Sequence, residues 1–405
     1  MDITLQKSTI QKQSSIEITG SKSESNRLLL LQALFPKIEL KNVSNSDDSN
    51  LMAKALASKE EVVDIHHAGT AMRFLTAYFA VQEGRKTILT GSKRMKERPI
   101  KILVDALREL GAEIQYVEND GFPPIQIIGK KLLKHQVTLK ANVSSQYISA
   151  LVLIASKLEK GIELTLDGDI TSVPYINMTL SLLNEIGVKT SFKDNLIKVY
   201  PSKAQPKPLV VESDWSSASY YFSIAALSPV GTRIQLSSYK KNSLQGDSCL
   251  VDIYKHFGVT STFNDNVITL QKTAKNIESL TLDLKNAPDI AQTITVTCFV
   301  LGIPCDLTGL HTLKIKETDR LVALKTEIEK LGGAVEITDK SLHLKASTNI
   351  KPMVKVATYN DHRMAMAFAP VALKQDIVIE DAGVVSKSYP TFWEDLKTIG
   401  FKISE

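Results

Sequence analysis

LVDALRELGAEIQY, residues 103–116, is the stretch from which the fold can be read. An amphipathic helix runs into Gly111, the residue best able to take the left-handed conformation that ends a helix, and a short alternating, strand-like run follows. The pattern recurs as TLSLLNEIGVKTSF at Gly187, LVDIYKHFGVTSTF at Gly258, LKTEIEKLGGAVEI at Gly333 and FWEDLKTIGFKIS at Gly400. The glycines fall roughly every 70 residues, which is an internal repeat. Ahead of these helices lie strand-like runs such as Lys86–Leu89, Ile162–Leu166 and Ile377–Ile379, and after each glycine come two alternating runs joined by a turn, such as Val188–Phe192 and Leu196–Tyr200 around Asn195.

A second series of helices alternates with the first. It comprises GSKSESNR (Gly20–Arg27) with the Leu28–Leu31 run behind it, HAGTAMRFLTAYFAV from His67, SSQYISALVLIAS from Ser144, SDWSSASYYFSIAAL from Ser213, APDIAQTITVTCFVLG from Ala287 and NDHRMAMAFAPVAL from Asn360. Each sets polar or small residues before a helix apolar on most faces, so each is expected to be interior with a polar mouth. In GSKSESNR, Ser23 or Ser25 is expected to cap the helix, and its free N–H groups favour phosphate or carboxylate. Alone, that stretch reads as an ordinary capped helix with two solvated basic residues. Six such mouths suggest one shared cleft.

The repeat unit is helix, strand, helix, hairpin, and it has two irregularities. The last copy runs out at Phe401–Ile403, while the chain opens with two unassigned strand-like runs, Ile3–Lys7 and Ser15–Thr19, so the N-terminus is expected to complete the final unit. In the first unit SDDSNLMAKALAS supplies the second helix, but only Glu60–Ile65 remains before the next begins, so its hairpin is missing or reduced to one strand. Six units, three per globule, follow: residues 21–212 in one, 1–20 with 213–405 in the other, and crossings near 20 and 212.

A length of 405 residues favours two domains. No apolar run reaches the ~18 residues of a membrane helix, and Met1-Asp2-Ile3-Thr4 carries no basic leader, which points to a cytoplasmic protein without membrane association. Cys249, Cys298 and Cys305 form no CxxC pair and lie among apolar residues, as reduced buried thiols do. The net charge of +5, from 49 basic and 44 acidic residues, is too balanced to indicate a nucleic-acid partner. Nine of the 49 are arginines, and five of these (Arg27, Arg73, Arg98, Arg320, Arg363) sit in polar motifs beside helix starts, where a bidentate fork suits carboxylate or phosphate.

Single motifs are ambiguous. KERPI (Lys96–Ile100) reads as the start of an amphipathic helix. KETDR (Lys316–Arg320) reads as a helix start with Lys316 and Arg320 on one face and Glu317 paired with Arg320, and by itself it is a solvated helix end. Asp361, His362 and Arg363 directly precede a wholly apolar helix, where charges must be paired or used. Asp289 reads as a helix N-terminal acid and Lys387 as a lone base in a turn. His66 and His67 are adjacent and lack the spacing of a helical metal pair, so no metal is expected. P-loop, GxGxxG and GxSxG motifs are absent from the sequence.

Taken together and in order, GSKSESNR, HAGTAMR, RMKERPI, SSQ, SDWSSASYY, KETDRL and NDHRMAM resemble the 5-enolpyruvylshikimate-3-phosphate synthases across essentially the whole chain. The resemblance implies an α/β (α+β) fold, a two-domain inside-out α/β barrel of six βαβαββ units, with the first truncated here. It also implies transfer of the enolpyruvyl group of phosphoenolpyruvate to shikimate 3-phosphate by addition and elimination, without metal or organic cofactor, by a monomer. Phosphoenolpyruvate would meet Lys22, Gly69, Arg98, Gln146, Arg320, Arg363 and Lys387. Shikimate 3-phosphate would meet Ser23, Arg27, Ser144, Ser145, Gln146, Ser172, Tyr175, Asp289 and Lys316.

Asp289 is the implied base toward the substrate hydroxyl, Glu317 the implied acid toward the methylene carbon, and Lys22 a third group for proton transfer. Arg320 and the helix start favour an ionised Glu317, whereas an acid must carry a proton; nearby substrate anions would act in that direction. The chain departs from the family pattern at His67, where relatives carry asparagine, at Phe74 in place of proline, and at Thr312 in place of asparagine. The rival readings are a UDP-N-acetylglucosamine enolpyruvyl transferase, disfavoured because Arg94–Glu97 holds no cysteine, and a non-catalytic binder of phosphorylated ligands.

Overall fold

The computed structural model describes all residues except 141–143, 171–172, 202–204, 206–207, 275–276 and 348. The chain separates into two compact units, Gly20–Val211 and Met1–Thr19 with Glu212–Glu405. Each has its own apolar core.

In each unit the apolar helices are inside and the sheets outside. Trp215–Leu227 has all of its residues buried, as does His362–Phe368, and Gly69–Ala80 buries every residue but Thr70. Burying a Leu, Ile, Val or Phe side chain contributes about 1.5–3 kcal/mol, so each of these helices stabilises its core substantially. Their hydroxyls are absorbed locally: Thr76 Oγ1 donates to Met72 O at 2.6 Å and Thr295 Oγ1 to Ala291 O at 2.7 Å, leaving apolar faces for packing. The three inner helices of Gly20–Val211, namely Lys22–Leu34, Gly69–Ala80 and Ser145–Ala155, pack against one another. In the other unit Ala291–Leu301 packs against both Trp215–Leu227 and His362–Phe368.

Among the described residues five four-stranded sheets share one plan. The leading strand runs parallel to the second, and the hairpin adds two antiparallel strands, as in Val62–Asp64, Lys86–Thr90, Ile125–Ile128 and Glu113–Tyr116. The alternating burial of Gln136–Lys140 and Arg233–Ser237 marks sheets with one wet face. Ile3–Gln6 stands between Ile377–Ile379 and Lys402–Ser404, in the place another unit gives to the inner hairpin strand. The second N-terminal run does not belong to that final sheet: Gln13–Ile16 leads the sheet of Arg233–Ser237. Nor does Glu60–Ile65 serve the first unit, because Val62–Asp64 leads the next sheet; among the described residues the first unit keeps Glu39–Lys41, parallel to Pro208–Val210, without a hairpin.

Helix ends also differ from the sequence reading in places. Ser21, not Ser23 or Ser25, caps Lys22–Leu34, accepting from Glu24 N at 3.5 Å. Gly111, Gly187, Gly258 and Gly400 have positive φ at their helix ends, but at the LGGA stop the left-handed residue is Gly332, φ 101°. Gly333 is needed for closeness instead, since a Cβ there would lie 2.4 Å from Ile328 Cγ2 and 2.9 Å from Phe299 Cε2. The stretch before Gly258 is a short helix, Leu250–Ile253, flanked by 3₁₀ turns. KETDR is not wholly helical: the helix starts at Arg320, with Asp319 Oδ1 accepting from Leu321 N and Val322 N.

Candidate functional site

In the Gly20–Val211 unit the residues singled out by sequence gather at inner-helix starts. Lys22 opens its helix with Nζ 4.0 Å from Asp48 Oδ1, and Asp48 Oδ2 lies 3.8 Å from His67 Nε2. Arg27, 2% exposed, donates to Ser23 O at 2.7 Å, Thr179 Oγ1 at 2.7 Å, Ser149 Oγ at 3.1 Å and Tyr175 O at 3.4 Å. Its guanidinium lies over the rings of Phe74 and half-buried Tyr175. Ser144 is exposed and caps Ser145–Ala155, accepting from Gln146 N at 3.4 Å, while Ser145 is buried. Ser172 lies outside the described residues.

Gly69 and Arg98 explain each other. A Cβ on Gly69 would lie 2.4 Å from Arg98 Nη1, so the bare helix start is what lets the guanidinium lie against it. Arg73, 4% exposed, donates to Gly69 O at 3.1 Å and Pro99 O at 3.2 Å, and Tyr147 Oη donates to the same Pro99 carbonyl at 2.7 Å, fixing the Arg98-Pro99 segment. Gln146 Nε2 donates to Thr70 Oγ1 at 3.1 Å. Arg73, one of the five arginines beside helix starts, is the one to which no substrate contact was given; it instead ties Gly69 to Pro99, and its i+4 spacing from Gly69 was the signal.

Burial lowers the pKa of Arg27 to about 10, with Tyr175 and Glu24 opposing, and that of Arg73 to about 10, where Arg98 adds to the effect. Both stay cationic at neutral pH. Among the described residues no carboxylate lies within ion-pair distance of either. Buried cations with neutral partners favour the arrival of an anion.

The other unit arranges its charges around Asp289. One oxygen, Oδ1, lies 2.9 Å from Arg320 Nη1 and 3.3 Å from Lys316 Nζ; the other, Oδ2, lies 3.4 Å from Arg363 Nη2. Burial alone would raise the Asp289 pKa, but Lys316, Arg363 and Arg320 outweigh it and hold the carboxyl well below the ordinary range. Arg320, 1% exposed, also donates to Glu317 Oε2 at 2.8 Å and, through Nε, to Asp361 Oδ2 at 2.7 Å. Lys316 and Glu317 precede the helix rather than sharing a face of it; Asp289 and Arg320 gather them instead.

Asp361, whose role the sequence left open, caps His362–Phe368 through Arg363 N at 2.9 Å. Its signal was an aspartate directly before a buried helix. Lys387 ends the 3₁₀ segment Ala382–Lys387 and donates from Nζ to Asn360 O at 2.6 Å and Asn360 Oδ1 at 2.7 Å. Buried Asp247, bonded to Ser216 Oγ, has its pKa pushed up to about 6, by desolvation first and by Asp289 second, with Arg363 opposing. Among the described residues no group of three His, Cys, Asp or Glu side chains is placed to hold a metal ion, and no helix is long and apolar enough to cross a membrane.

The family model for EPSP synthase (3-phosphoshikimate 1-carboxyvinyltransferase) matches residues 54–396. The chain belongs to the EPSP synthase family. It is 47% identical to the 3-phosphoshikimate 1-carboxyvinyltransferase of Bacteroides fragilis (strain ATCC 25285) over 97% of both proteins, and 36% identical to that of Pasteurella multocida over 94% of this chain and 93% of the relative. Two solved structures share the fold of this EPSP synthase family member. The EPSP synthase of Acinetobacter baumannii superposes with a TM-score of 0.82 at 19% identity, each chain wholly covered. The enolpyruvyl transferase NikO of Streptomyces tendae gives 0.73 at 12% identity, covering 100% of this chain and 98% of that one.

Proposed function

We propose that this chain is a 3-phosphoshikimate 1-carboxyvinyltransferase, moving the carboxyvinyl group of phosphoenolpyruvate to the 5-hydroxyl of shikimate 3-phosphate and releasing phosphate, as a cytoplasmic monomer in aromatic amino-acid biosynthesis. The observation that carries the reading is Asp289 facing Lys316, Arg320 and Arg363 in a member of this family. A carboxylate held by three cations is a base in reserve. When anionic substrates draw part of those cations' hydrogen bonding to themselves, Asp289 regains proton affinity and accepts the hydroxyl proton as oxygen attacks C2.

Glu317, held by Arg320, is the acid that delivers a proton to C3, giving the tetrahedral intermediate; as the C2–O bond to phosphate breaks, the Glu317 carboxylate takes a proton back from the C3 methyl group and the double bond is restored. Lys22 is the third group for proton transfer. Arg320, Arg363 and Lys387, with Lys22, Gly69, Arg98 and Gln146, hold phosphoenolpyruvate, whose carboxylate and phosphate suit guanidinium forks and an uncapped helix start. Arg27, Ser23, Ser144, Ser145, Gln146, Ser172 and Tyr175, with Lys316 and Asp289, hold shikimate 3-phosphate. Arg27 lies over aromatic rings and gives its hydrogen bonds to neutral oxygens, so an anion arriving there adds countercharge.

The test is release of inorganic phosphate by purified protein given phosphoenolpyruvate and shikimate 3-phosphate. Release that requires both substrates, and that UDP-N-acetylglucosamine does not support in place of the second, is the expected result. No release above background rejects the reading.

A further inference from the structure

One buried carboxylate stands apart from the charges already assigned. Glu327 lies on the helix Arg320–Lys330, seven residues beyond Arg320 and so two turns along the same face. It is fully buried, and both oxygens are used: Oε1 accepts from Tyr359 Oη at 2.6 Å, while Oε2 accepts from Ala357 N at 3.2 Å and from Lys330 Nζ at 2.5 Å. Lys330 Nζ also donates to Lys355 O at 2.7 Å, so both bases and acids here are tied to the strand Val354–Val356 and the turn beyond it.

That turn is strained. Tyr359 and Asn360 have φ of 53° and 57°, two consecutive non-glycine residues in the left-handed region, costing roughly 1–2 kcal/mol each. Strain of this size persists only where surrounding contacts hold it. Asp361 follows at once, with Arg320 on its carboxylate and Arg363 N on its Oδ1, and Asn360 offers both its oxygens to Lys387. One helix face therefore grips the segment twice, by Arg320 at Asp361 and by Glu327 at Ala357 and Tyr359.

We propose that Glu327 is a positioning residue: through the Tyr359 hydroxyl and the Ala357 amide it holds the left-handed turn that sets Arg363 and Lys387 for phosphoenolpyruvate. The inference rests on the reading in which those two cations bind that substrate. Glu327 touches no substrate in this scheme. Its carboxylate fixes the conformation of a turn whose far end does.

Tyr359→Phe and Glu327→Gln test it. Tyr359 is 39% exposed, so losing its hydroxyl removes one hydrogen bond without opening a core cavity, and this variant carries the test if Glu327→Gln fails to fold. Both should raise KM for phosphoenolpyruvate about tenfold, with KM for shikimate 3-phosphate within about twofold of wild type. Amide exchange should rise over residues 356–364 and stay unchanged elsewhere. A general loss of structure would instead raise both KM values together and lower Tm. Unchanged KM for phosphoenolpyruvate overturns the positioning role even if exchange rises, and unchanged exchange overturns the clamp itself. If wild-type protein releases no phosphate, the functional reading fails separately, and exchange over 356–364 still decides the clamp.

Discussion

Arg320 donates from Nε to Asp361 Oδ2 at 2.7 Å, with 2% of the arginine side chain and none of the aspartate exposed to solvent. The pair joins the starts of two helices, Arg320–Lys330 and His362–Phe368, and leaves the rest of the guanidinium for Asp289 and Glu317. Structure and site thus share one residue.

Removing one member of such a pair strands the other in the interior. Asp361→Ala should destabilise its unit by about 3–5 kcal/mol, counting the lost cap on the second helix. Urea unfolding measures this, and a loss below about 1 kcal/mol would show that the guanidinium is satisfied without Asp361.

Asp289→Ala removes the proposed base and leaves Lys316, Arg320 and Arg363 facing one another. Turnover should fall by about 10²–10⁴, far more than shikimate 3-phosphate affinity, because proton transfer occurs only in the chemical step. Rapid-quench kinetics beside calorimetric binding separates the two. A variant with near-normal kcat would exclude the role.

Gly69→Ala places a methyl group where Arg98 Nη1 lies, at 2.4 Å. The guanidinium is the end of a flexible side chain and can swing aside, so Tm should hardly change while KM for phosphoenolpyruvate rises by roughly tenfold, about 1.4 kcal/mol. A large drop in Tm with unaltered KM would place the constraint in the fold instead.

Asp247 makes stability depend on pH in a defined direction. Its folded pKa of about 6 exceeds the ordinary 3.8, so the folded state binds the extra proton. Stability from this group is full below about pH 4, declines as pH rises through about 6 and stays reduced above, a loss of roughly 3 kcal/mol. Asp247→Asn should therefore be more stable than wild type at pH 8 by up to about that amount, with the gain vanishing at pH 4. Denaturant midpoints at the two pH values measure it, and an equal difference at both contradicts the assignment.

Local chemistry shows through clearly in some places. Gly111 and Gly400 end their helices in left-handed conformations because no other residue adopts them so readily, and a helix as apolar as Trp215–Leu227 has nowhere to go but inside. Elsewhere neighbours distant in sequence overrule local pattern. Either glycine of Gly332-Gly333 could end its helix; the nearness of Phe299 and Ile328 divides their tasks. KETDR looks helical throughout, yet Asp289 draws Lys316 out of the helix and Asp319 starts it later.

From sequence alone came the repeat, the two kinds of helix, the family resemblance and the scarcity of arginine at polar motifs, because periodicity, glycine stops and charge placement are properties of neighbouring residues. Only the tertiary structure decided that Asp289 collects three cations, that Asp361 anchors Arg320 and that Glu327 reaches Tyr359. Those contacts join residues from 27 to 74 positions apart, and electrostatic attraction in a buried site depends on separation in space, which chain order does not encode.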